Sequence, residues 1–567
     1  MKKKLWAALL LCAALVLSLA GCDGGGILDI GGKETECDFC GETKKCKEKT
    51  IWGEEYNICD DCQEELGEAM NVEPSSGLEM SKTRDDEKGI IGYLVQGPGS
   101  NTDKDLVIPS TYKDLPVIGI AREAFKDCKY LKSVVIPSSV TSISYYGYDW
   151  EVGSFQGCTG LEKVVLSDGL ERLQYAAFRD CTSLKSIVIP GSVKEFGYST
   201  FYGCTGLESV VICDGVEVIG PDTFEGCTSL AKLEVGNTVT TIESDAFRGC
   251  TALTEVILPQ NVGSIYTRAF GGCENLTNVE IKNEEAEVAW NAFDGCDKIA
   301  TVKIGEDIII KYGEENGEVR VSNLSLWIEN ELGRRFLPEQ YNLYADKKLV
   351  EELVIPEGIT QVNGQFDGCL SLTKIVIPDH VTAWDFSSCI NVTEIQIGGG
   401  LSYISKSIMP PNVCHVVIEE GVTELDEGLF YLHESLETIR LPGTLERIPY
   451  DCFRDCDTLT DVKLSEGITT IGAWSFAGCS GLESITIPQS VTEIESYALS
   501  WNKNLSEVTI LGTETHIGYA ALYVCPKLSK IVYGGTMEQW GKLKKGGGWN
   551  DDTGEYVICC ADGEIMK

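Results

Sequence analysis

Apolar residues recur through most of the chain as a short motif, Leu-x-x-apolar-x-apolar, which ends at a proline or a glycine. In one unit the inward positions are Leu184, Ile187 and Ile189, and Pro190 follows. Alternation with a period of two predicts a short strand that buries one face. Three apolar side chains of the return stretch are predicted to face the same interior and to close a flattened coil: Val193, Phe196 and Phe201.

This unit repeats at a fixed spacing. Phenylalanines stand 23 residues apart at Phe178, Phe201, Phe224, Phe247, Phe270 and Phe293. Cysteines keep the same spacing three residues later, at Cys181, Cys204, Cys227, Cys250, Cys273 and Cys296. A period of about 20–29 residues with this motif is typical of a leucine-rich repeat solenoid. The sequence therefore predicts an α/β repeat fold over residues 89–567, with short parallel strands and a mostly irregular convex side.

The repeated cysteine has four possible roles: metal ligand, disulfide partner, nucleophile or small buried side chain. Parallel rungs lie about 4.8 Å apart, and a disulfide accepts a Cα separation of about 4.4–6.8 Å, so stacking leaves bridges open. His433 and Asn502 occupy the same slot in later units, which argues against obligatory pairs. All three residue types have a compact side chain that can pair with backbone groups. The sequence favours a buried structural thiol.

The units vary around the pattern Ala-Phe-x-x-Cys-x-x-Leu-x-x-Val-x-apolar-Pro, which is complete in Ala246 to Pro259. This motif resembles the units of the BspA-like leucine-rich repeat family of bacterial surface proteins, and the resemblance covers more than four fifths of the chain. Asp105–Phe125 and Ile531–Trp540 are similar to that family's opening and closing coils, so a C-terminal cap is expected near residues 531–567. What the resemblance implies is adhesion to host matrix proteins, mucus or neighbouring cells.

The period is interrupted between about residues 305 and 346 and resumes at Leu353. This insertion is expected to be a bulge on one flank or a small lid. The alternative is a decoration with no contact role.

The first residues have the pattern of a secretory leader. Lysines at positions 2–4 precede the apolar stretch Leu5–Ala20, which is short for a bilayer span. Leu19-Ala20-Gly21-Cys22 is similar to the lipobox of bacterial lipoproteins, and this resemblance implies removal of residues 1–21 and lipidation of Cys22. An uncleaved membrane helix is the alternative. Residues 22–33 are expected to form a glycine-rich tether. The leader and the lipidated cysteine together imply that the protein lies outside the cytoplasm, anchored to the bacterial cell membrane.

Two Cys-x-x-Cys pairs follow, with 18 residues between them: Cys37, Cys40, Cys59 and Cys62. Four thiolates suit a closed, structural Zn²⁺ site. Residues 34–70 resemble a zinc ribbon or treble-clef finger, with a hairpin around Trp52-Gly53. Two disulfides are the alternative, because an extracytoplasmic protein meets an oxidising environment. Residues 71–88 are expected to be a linker.

Charge narrows the range of partners. The chain has 87 acidic and 47 basic side chains and a net charge of −40. This balance disfavours nucleic acid and an anionic membrane surface, so membrane contact is expected through the lipid anchor alone.

Catalytic motifs are missing from the sequence. The four histidines fall on different coils, and neither a phosphate-binding glycine loop nor a His-Glu-x-x-His motif occurs. The protein is therefore not predicted to be an enzyme. A surface glycan hydrolase that uses Glu329 and Glu331 is one alternative. A non-adhesive structural or envelope-assembly protein is the other.

The binding face is expected at the exposed positions of the strands. The last of these positions reads Val135, Val165, Val188 and Val211 in consecutive units. Charged residues run beside the valines, at Lys132, Glu162, Lys185 and Glu208. An apolar stripe on a charged protein can mark a binding surface, although valine also suits an exposed strand. The expected partner is a protein or a glycan on a host or neighbouring cell.

Overall fold

The computed structural model describes residues 34–36, 43–51, 54–59, 74–85, 88–145, 152–313 and 316–567. The chain divides into two compact parts, called from here on the first unit (Met1–Glu306) and the second unit (Asp307–Lys567). A single 23-residue repeat is called a coil. It is a β-solenoid of about 20 turns with a spacing of about 23 residues. The fold class predicted from the sequence period is confirmed.

Three strands lie in the segment that resembles a zinc ribbon: β1 (Glu34–Glu36), β2 (Thr43–Ile51) and β3 (Glu54–Cys59). β1 and β3 both pair with β2 in antiparallel fashion. Ile51 lies opposite Glu54 and Cys46 lies opposite Cys59, so β2 and β3 form a hairpin at the position that the sequence predicts.

The first unit continues with twenty strands. They are β4 (Glu79–Arg84), β5 (Ile91–Gly97), β6 (Asp105–Val107), β7 (Thr111–Tyr112), β8 (Leu115–Ala121), β9 (Ser133–Ile136), β10 (Ser142–Tyr145), β11 (Lys163–Leu166), β12 (Arg172–Leu173), β13 (Ser186–Ile189), β14 (Glu195–Phe196), β15 (Ser209–Ile212), β16 (Val218–Ile219), β17 (Lys232–Val235), β18 (Thr241–Ile242), β19 (Glu255–Leu258), β20 (Ser264–Ile265), β21 (Asn278–Ile281), β22 (Glu287–Val288) and β23 (Thr301–Ile304).

Strand β4 corrects the boundary between linker and solenoid. It lies within residues 71–88, which the sequence analysis assigns to a linker, and it pairs antiparallel with β5. Because β5 pairs with β8 on its other side, β4 covers an edge whose N–H and C=O groups would otherwise be unpaired. The solenoid of the first unit therefore starts at Glu79 and not at residue 89.

From β11 onward each coil of the first unit contributes a four-residue strand, and through β22 a two-residue strand follows it. The longer strands pair in parallel in the sheets β6-β9-β11, β13-β15-β17 and β19-β21-β23. The two-residue strands pair in parallel as β12-β14 and β16-β18-β20-β22, and β8 (seven residues) and β10 (four residues) extend the first of these rows as β8-β10-β12-β14. The register joins equivalent residues, so that Ile187 lies opposite Val210. Each position of the repeat is therefore stacked into a ladder.

The interior of the first unit is built on one such ladder of phenylalanine rings. Seven successive pairs from Phe125 to Phe293 have ring centroids 5.0–5.4 Å apart and planes within 3–9° of parallel. Leu184, Ile187 and Ile189 are buried as predicted. Phe196 is only half-buried, so its predicted place in the core is wrong; it ends β14, at the margin of the coil.

The second unit contains β24 (Ile308–Lys311), β25 (Gly317–Val321), α1 (Leu324–Glu329), α2 (Glu331–Arg334), β26 (Tyr341–Ala345), β27 (Lys348–Leu349), β28 (Glu352–Val354), β29 (Gln361–Asn363), β30 (Lys374–Ile377), β31 (Ala383–Asp385), β32 (Glu394–Ile397), β33 (Tyr403–Ile404), a 3-10 helix (Lys406–Ile408), β34 (His415–Ile418), β35 (Glu424–Leu425), β36 (Thr438–Leu441), β37 (Arg447–Ile448), β38 (Asp461–Leu464), β39 (Thr470–Ile471), β40 (Ser484–Ile487), β41 (Glu493–Ile494), β42 (Glu507–Ile510), β43 (His516–Ile517), β44 (Lys530–Tyr533), α3 (Met537–Lys542), β45 (Val557–Cys560) and β46 (Gly563–Met566).

The insertion that interrupts the period is a folded element of this unit. β25 pairs antiparallel with β24 and parallel with β26, and α1 and α2 connect β25 to β26. The repeat resumes at β28, where the sequence places it. After the last repeat, β45 pairs parallel with β44 and antiparallel with β46. The final strand thus covers the last rung of the ladder, as β4 covers the first coil.

Candidate functional site

The four valines of the predicted face lie on the longer strands of the first unit. Val135 lies opposite Val165, and Val188 lies opposite Val211. Each is half-buried, whereas the residues on either side of Val135 and of Val188 are buried. This is the alternation expected of a strand that packs one face on a core and presents the other. The strand face, defined here by these four valines, is therefore a half-buried apolar stripe on the outer side of the strands.

The stripe is made of two halves. β11 and β13 belong to different sheets, and where they meet the Lys185 N–H donates to the Glu162 carbonyl at 3.2 Å. At the far end, Val211 lies opposite Glu234, so the fifth position is acidic. The apolar stripe thus covers four coils and ends at a carboxylate.

Ion pairs border the valines. The Lys132 ammonium lies 2.6 Å from the Glu162 carboxylate, and the Lys185 ammonium lies 2.6 Å from Glu208. All four side chains are exposed, so each pair contributes little to stability, about 0–1 kcal/mol. The pairs neutralise the border of the strand face, on a chain that is otherwise strongly negative.

The repeated cysteines lie in the interior, away from the strand face. All six are free and buried thiols, and each Sγ–H donates to the carbonyl of the phenylalanine one coil earlier. Cys181 donates to Phe155 at 3.2 Å and Cys204 donates to Phe178 at 3.1 Å. Cys227, Cys250, Cys273 and Cys296 make the same bond at 3.1–3.4 Å. The thiol ladder therefore ties each coil to its predecessor.

The amide of Asn502 shows what the slot requires. Its Nδ2 donates to the carbonyls of Phe476 at 2.9 Å and Leu499 at 2.8 Å. At this position of the repeat, both cysteine and asparagine therefore provide a compact side chain that donates a hydrogen bond to a backbone carbonyl. His433 differs, because its ring lies edge-on to Phe430 and accepts at Nδ1 from the Ser435 N–H at 3.4 Å. Burial lowers the pKa of His433.

Burial also decides the chemistry of the thiols. It raises the pKa of Cys158 to about 12 and takes the pKa values of Cys181, Cys227 and Cys250 well above the ordinary range. Only a thiolate acts as a nucleophile or a metal ligand. These groups stay protonated at neutral pH, and their role in the fold is that of hydrogen-bond donors.

The remaining predicted groups are dispersed. Glu329 and Glu331 are exposed at the junction of α1 and α2. His415 and His516 each face a glutamate of an adjacent coil, with nitrogen to oxygen distances of 3.9 Å and 3.7 Å. All four of these residues belong to the second unit, whereas the strand face belongs to the first.

The proposed zinc and lipid sites fall largely outside the described residues. Cys22, Cys37, Cys40 and Cys62 are not among them, and Cys59 is described only as a backbone position at the end of β3. Within the described ranges, no group of three or more His, Cys, Asp or Glu side chains is placed to hold a metal ion. In that same part of the chain, no helix is both long and apolar enough to cross a membrane.

Solved structures of several bacterial proteins are similar to this chain. A leucine-rich repeat protein from Bacteroides ovatus is 20% identical, with 85% of this chain and 98% of that chain covered and a TM-score of 0.25. A leucine-rich cell surface protein from Faecalibacterium prausnitzii is 20% identical, with 84% and 99% covered and a TM-score of 0.26. The T. pallidum leucine-rich repeat protein is 27% identical, with 40% and 91% covered and a TM-score of 0.28.

None of the curated proteins compared with the chain matches it. The BspA type leucine-rich repeat region, in contrast, matches residues 104–231, 197–315, 340–456 and 423–543. These matches cover more than half of the chain and both units. Together with the 23-residue ladders they establish that the chain belongs to the BspA-type leucine-rich repeat family.

Proposed function

We propose that the protein is a lipid-anchored cell-surface binding protein that adheres to a host or neighbouring cell through the strand face of its first unit. The observation that carries the proposal is the stripe of Val135, Val165, Val188 and Val211, which is apolar, in register and bordered by neutralising ion pairs. Removal of apolar surface from water drives most protein association. The family membership supports a role in recognition, as leucine-rich repeat proteins are typically non-enzymatic binding proteins.

The anchor and the zinc module complete the proposal. Lipidation of Cys22 would attach the chain to the membrane, and the residues up to β4 would hold the solenoid away from it. Four thiolates from Cys37, Cys40, Cys59 and Cys62 would hold a structural zinc ion. The hairpin of β2 and β3 supports this arrangement, because it brings the second pair's first cysteine beside the chain that follows the first pair.

The decisive experiment changes the stripe without changing the fold. All four valines are replaced by lysine in the soluble chain from residue 23 onward, and capture is measured from host matrix and mucin preparations and from the cell's own envelope. Loss of an interface centre costs about 2 kcal/mol or more, so capture from host material should weaken by at least about tenfold.

A matched control carries the same four added charges elsewhere on the unit. Val218, Tyr198, Tyr266 and Trp290 are exposed and lie outside the longer strands, so their replacement by lysine should leave capture unchanged. Equal losses in both variants would show a general effect of charge and refute the assigned face. Capture from the cell's own envelope alone would instead favour a structural or envelope-assembly role.

A further inference from the structure

The second unit holds an open cavity of about 420 Å³, within the size range of small-ligand sites. Its walls come from three separate segments, namely the end of the insertion, the turn after β29, and the turn after β31. The lining residues that matter for its chemistry are Arg334, Leu337, Glu339, Asp367, Leu370 and Ile390. The insertion is therefore part of a concave site, and the sequence does not reveal it because the repeat motif does not fix the path of the insertion over the two coils that follow.

Two buried aromatic residues of the insertion fix the cavity wall to the coil beneath. The Tyr341 N–H donates to Gly368 O at 3.0 Å, and Leu370 N–H donates to Tyr341 O at 2.7 Å. The Tyr341 hydroxyl and the Trp327 Nε1–H both donate to the Gln365 carbonyl, at 2.6 Å and 3.2 Å. Tyr341 and Trp327 are fully buried. The walls are thus held in place by the fold before any ligand arrives.

Glycines form the floor of the cavity. Gly364 has a φ of +80°, and a Cβ there would lie 2.9 Å from both Arg334 Nε and Asp367 Oδ2. Gly368 has a φ of +76°, and a Cβ there would lie 2.0 Å from the Glu339 carbonyl oxygen. Both the left-handed conformation and the close approach require glycine. The guanidinium of Arg334 and the carboxylate of Asp367 consequently converge over bare backbone.

The guanidinium in this cavity is available to a ligand. Arg334 is exposed, and among the described residues no carboxylate oxygen lies within 4.0 Å of its nitrogens. Other arginines of this acidic chain are already paired, such as Arg447 with Glu495 at 2.7 Å and Arg248 with Glu225 at 3.3 Å. Arg334 is therefore the group that would bind an anion in the cavity, and an arginine fork suits a carboxylate.

The rest of the lining fits a polyhydroxylated ring. Asp367 and Glu339 are exposed acceptors for hydroxyl groups. Ile390 is 43% exposed and, with Leu337 and Leu370, forms an apolar wall. A pyranose has an apolar C–H face, a rim of hydroxyl donors and, in an acidic sugar, one carboxylate.

We propose that this cavity binds a pyranose sugar that carries a carboxylate. The carboxylate pairs with Arg334, the hydroxyls donate to Asp367 and Glu339, and the C–H face lies on Ile390. Arg334 is the one cationic residue among the lining residues, so the sugar carboxylate is attracted there, while Asp367 and Glu339 disfavour it elsewhere in the cavity. This site is in the second unit and is independent of the strand face of the first.

The test uses the soluble chain from residue 23 onward, with methyl glucuronide and methyl glucoside as probes in isothermal titration calorimetry. One hydrogen-bonded charge pair corresponds to about a ten- to hundredfold change in affinity. Methyl glucuronide should therefore bind about ten- to hundredfold more tightly than methyl glucoside. Arg334→Gln should remove this preference, and Ile390→Asp should weaken both sugars.

Arg335→Gln is the matched control, since Arg335 is adjacent, equally charged and exposed but does not line the cavity. It should leave both affinities unchanged. The proposal is overturned if the unaltered chain does not bind methyl glucuronide, if Arg335→Gln loses as much as Arg334→Gln, or if acetate binds as tightly as the sugar. Arg334 is exposed, so an unchanged melting temperature of the variant separates loss of binding from loss of fold.

Discussion

The ring of Phe247 reports directly on what holds the coils of the first unit together. It is fully buried and stacks between Phe224 at 5.3 Å and Phe270 at 5.2 Å. Replacement by leucine keeps most of the apolar volume and removes both ring pairs. Each pair contributes about 0.5–1.5 kcal/mol beyond burial, so Phe247→Leu should lower the free energy of unfolding by about 1–3 kcal/mol. Truncation to alanine should cost about 3–5 kcal/mol.

The assay is urea unfolding of the soluble chain from residue 23 onward, followed by circular dichroism. Phe125 has one stacked neighbour among the described rings, Phe155 at 5.0 Å, so Phe125→Leu should cost about half as much as Phe247→Leu. Tyr266 belongs to the coil of Phe270 and is 47% exposed; Tyr266→Leu should change stability by less than about 0.5 kcal/mol. Equal losses for Phe247→Leu and Tyr266→Leu would refute a stabilising role for the stack.

Three further outcomes are expected. In the native state, iodoacetamide should label the half-buried thiols of Cys414 and Cys559 much faster than the buried thiols of Cys181, Cys227 and Cys250, because burial shields these three from the reagent and raises their pKa. Uniform labelling, read by mass spectrometry, would contradict this. Arg447 lowers the pKa of Glu495, so this ion pair stabilises the folded state above the ordinary carboxyl pKa, and the stabilisation is lost as the pH falls through the lowered value. Glu495→Gln should therefore lower the free energy of unfolding by up to about 1 kcal/mol at pH 7. In strong acid the same substitution should leave the free energy of unfolding unchanged. Atomic absorption should find one zinc ion per chain, and Cys40→Ser should release it without changing the melting temperature of the solenoid; two disulfides in place of zinc would refute the site.

Much of the fold can be predicted from the sequence, because the repeats share one motif and the prediction made for one repeat applies to the others. The inward positions of Leu184, Ile187 and Ile189 are read correctly, since alternation and the following proline define the strand locally. The start of the solenoid is not predicted correctly, because β4 lacks the repeat motif and joins the solenoid through its pairing with β5. Phe196 is misplaced for a related reason: the return stretch has no strict period, so an apolar residue there faces either way.

The candidate sites likewise differ in how well the sequence predicts them, according to whether their residues belong to the repeat. The valine stripe can be located from the sequence, because a repeated position becomes a column once the register is known. The pairing of Lys132 with Glu162 is not visible in the sequence, since it depends on the contact between two coils 30 residues apart. The cavity at Arg334 is only partly visible in the sequence. Leu370 and Ile390 follow the repeat cysteines of two consecutive coils, but Arg334 and Glu339 belong to the insertion, which has no period. The anchoring of Tyr341 on the coil beneath brings the two sets together.

Comparison of the two units explains why recognition is assigned to the first. The register that stacks Val135 on Val165 also stacks the last exposed strand position of the second unit. There the column reads Val354, Val376, Gln396, Val417 and Arg440 in order. The first unit thus has four valines in succession before Glu234, whereas the second unit has two before Gln396. The interior also differs, since His433 and Asn502 replace the repeated cysteine in the second unit, but a partner meets the exposed positions and the insertion. Those are the places where a partner distinguishes one unit from the other, and substitutions there should alter binding with little effect on the stability of the coils.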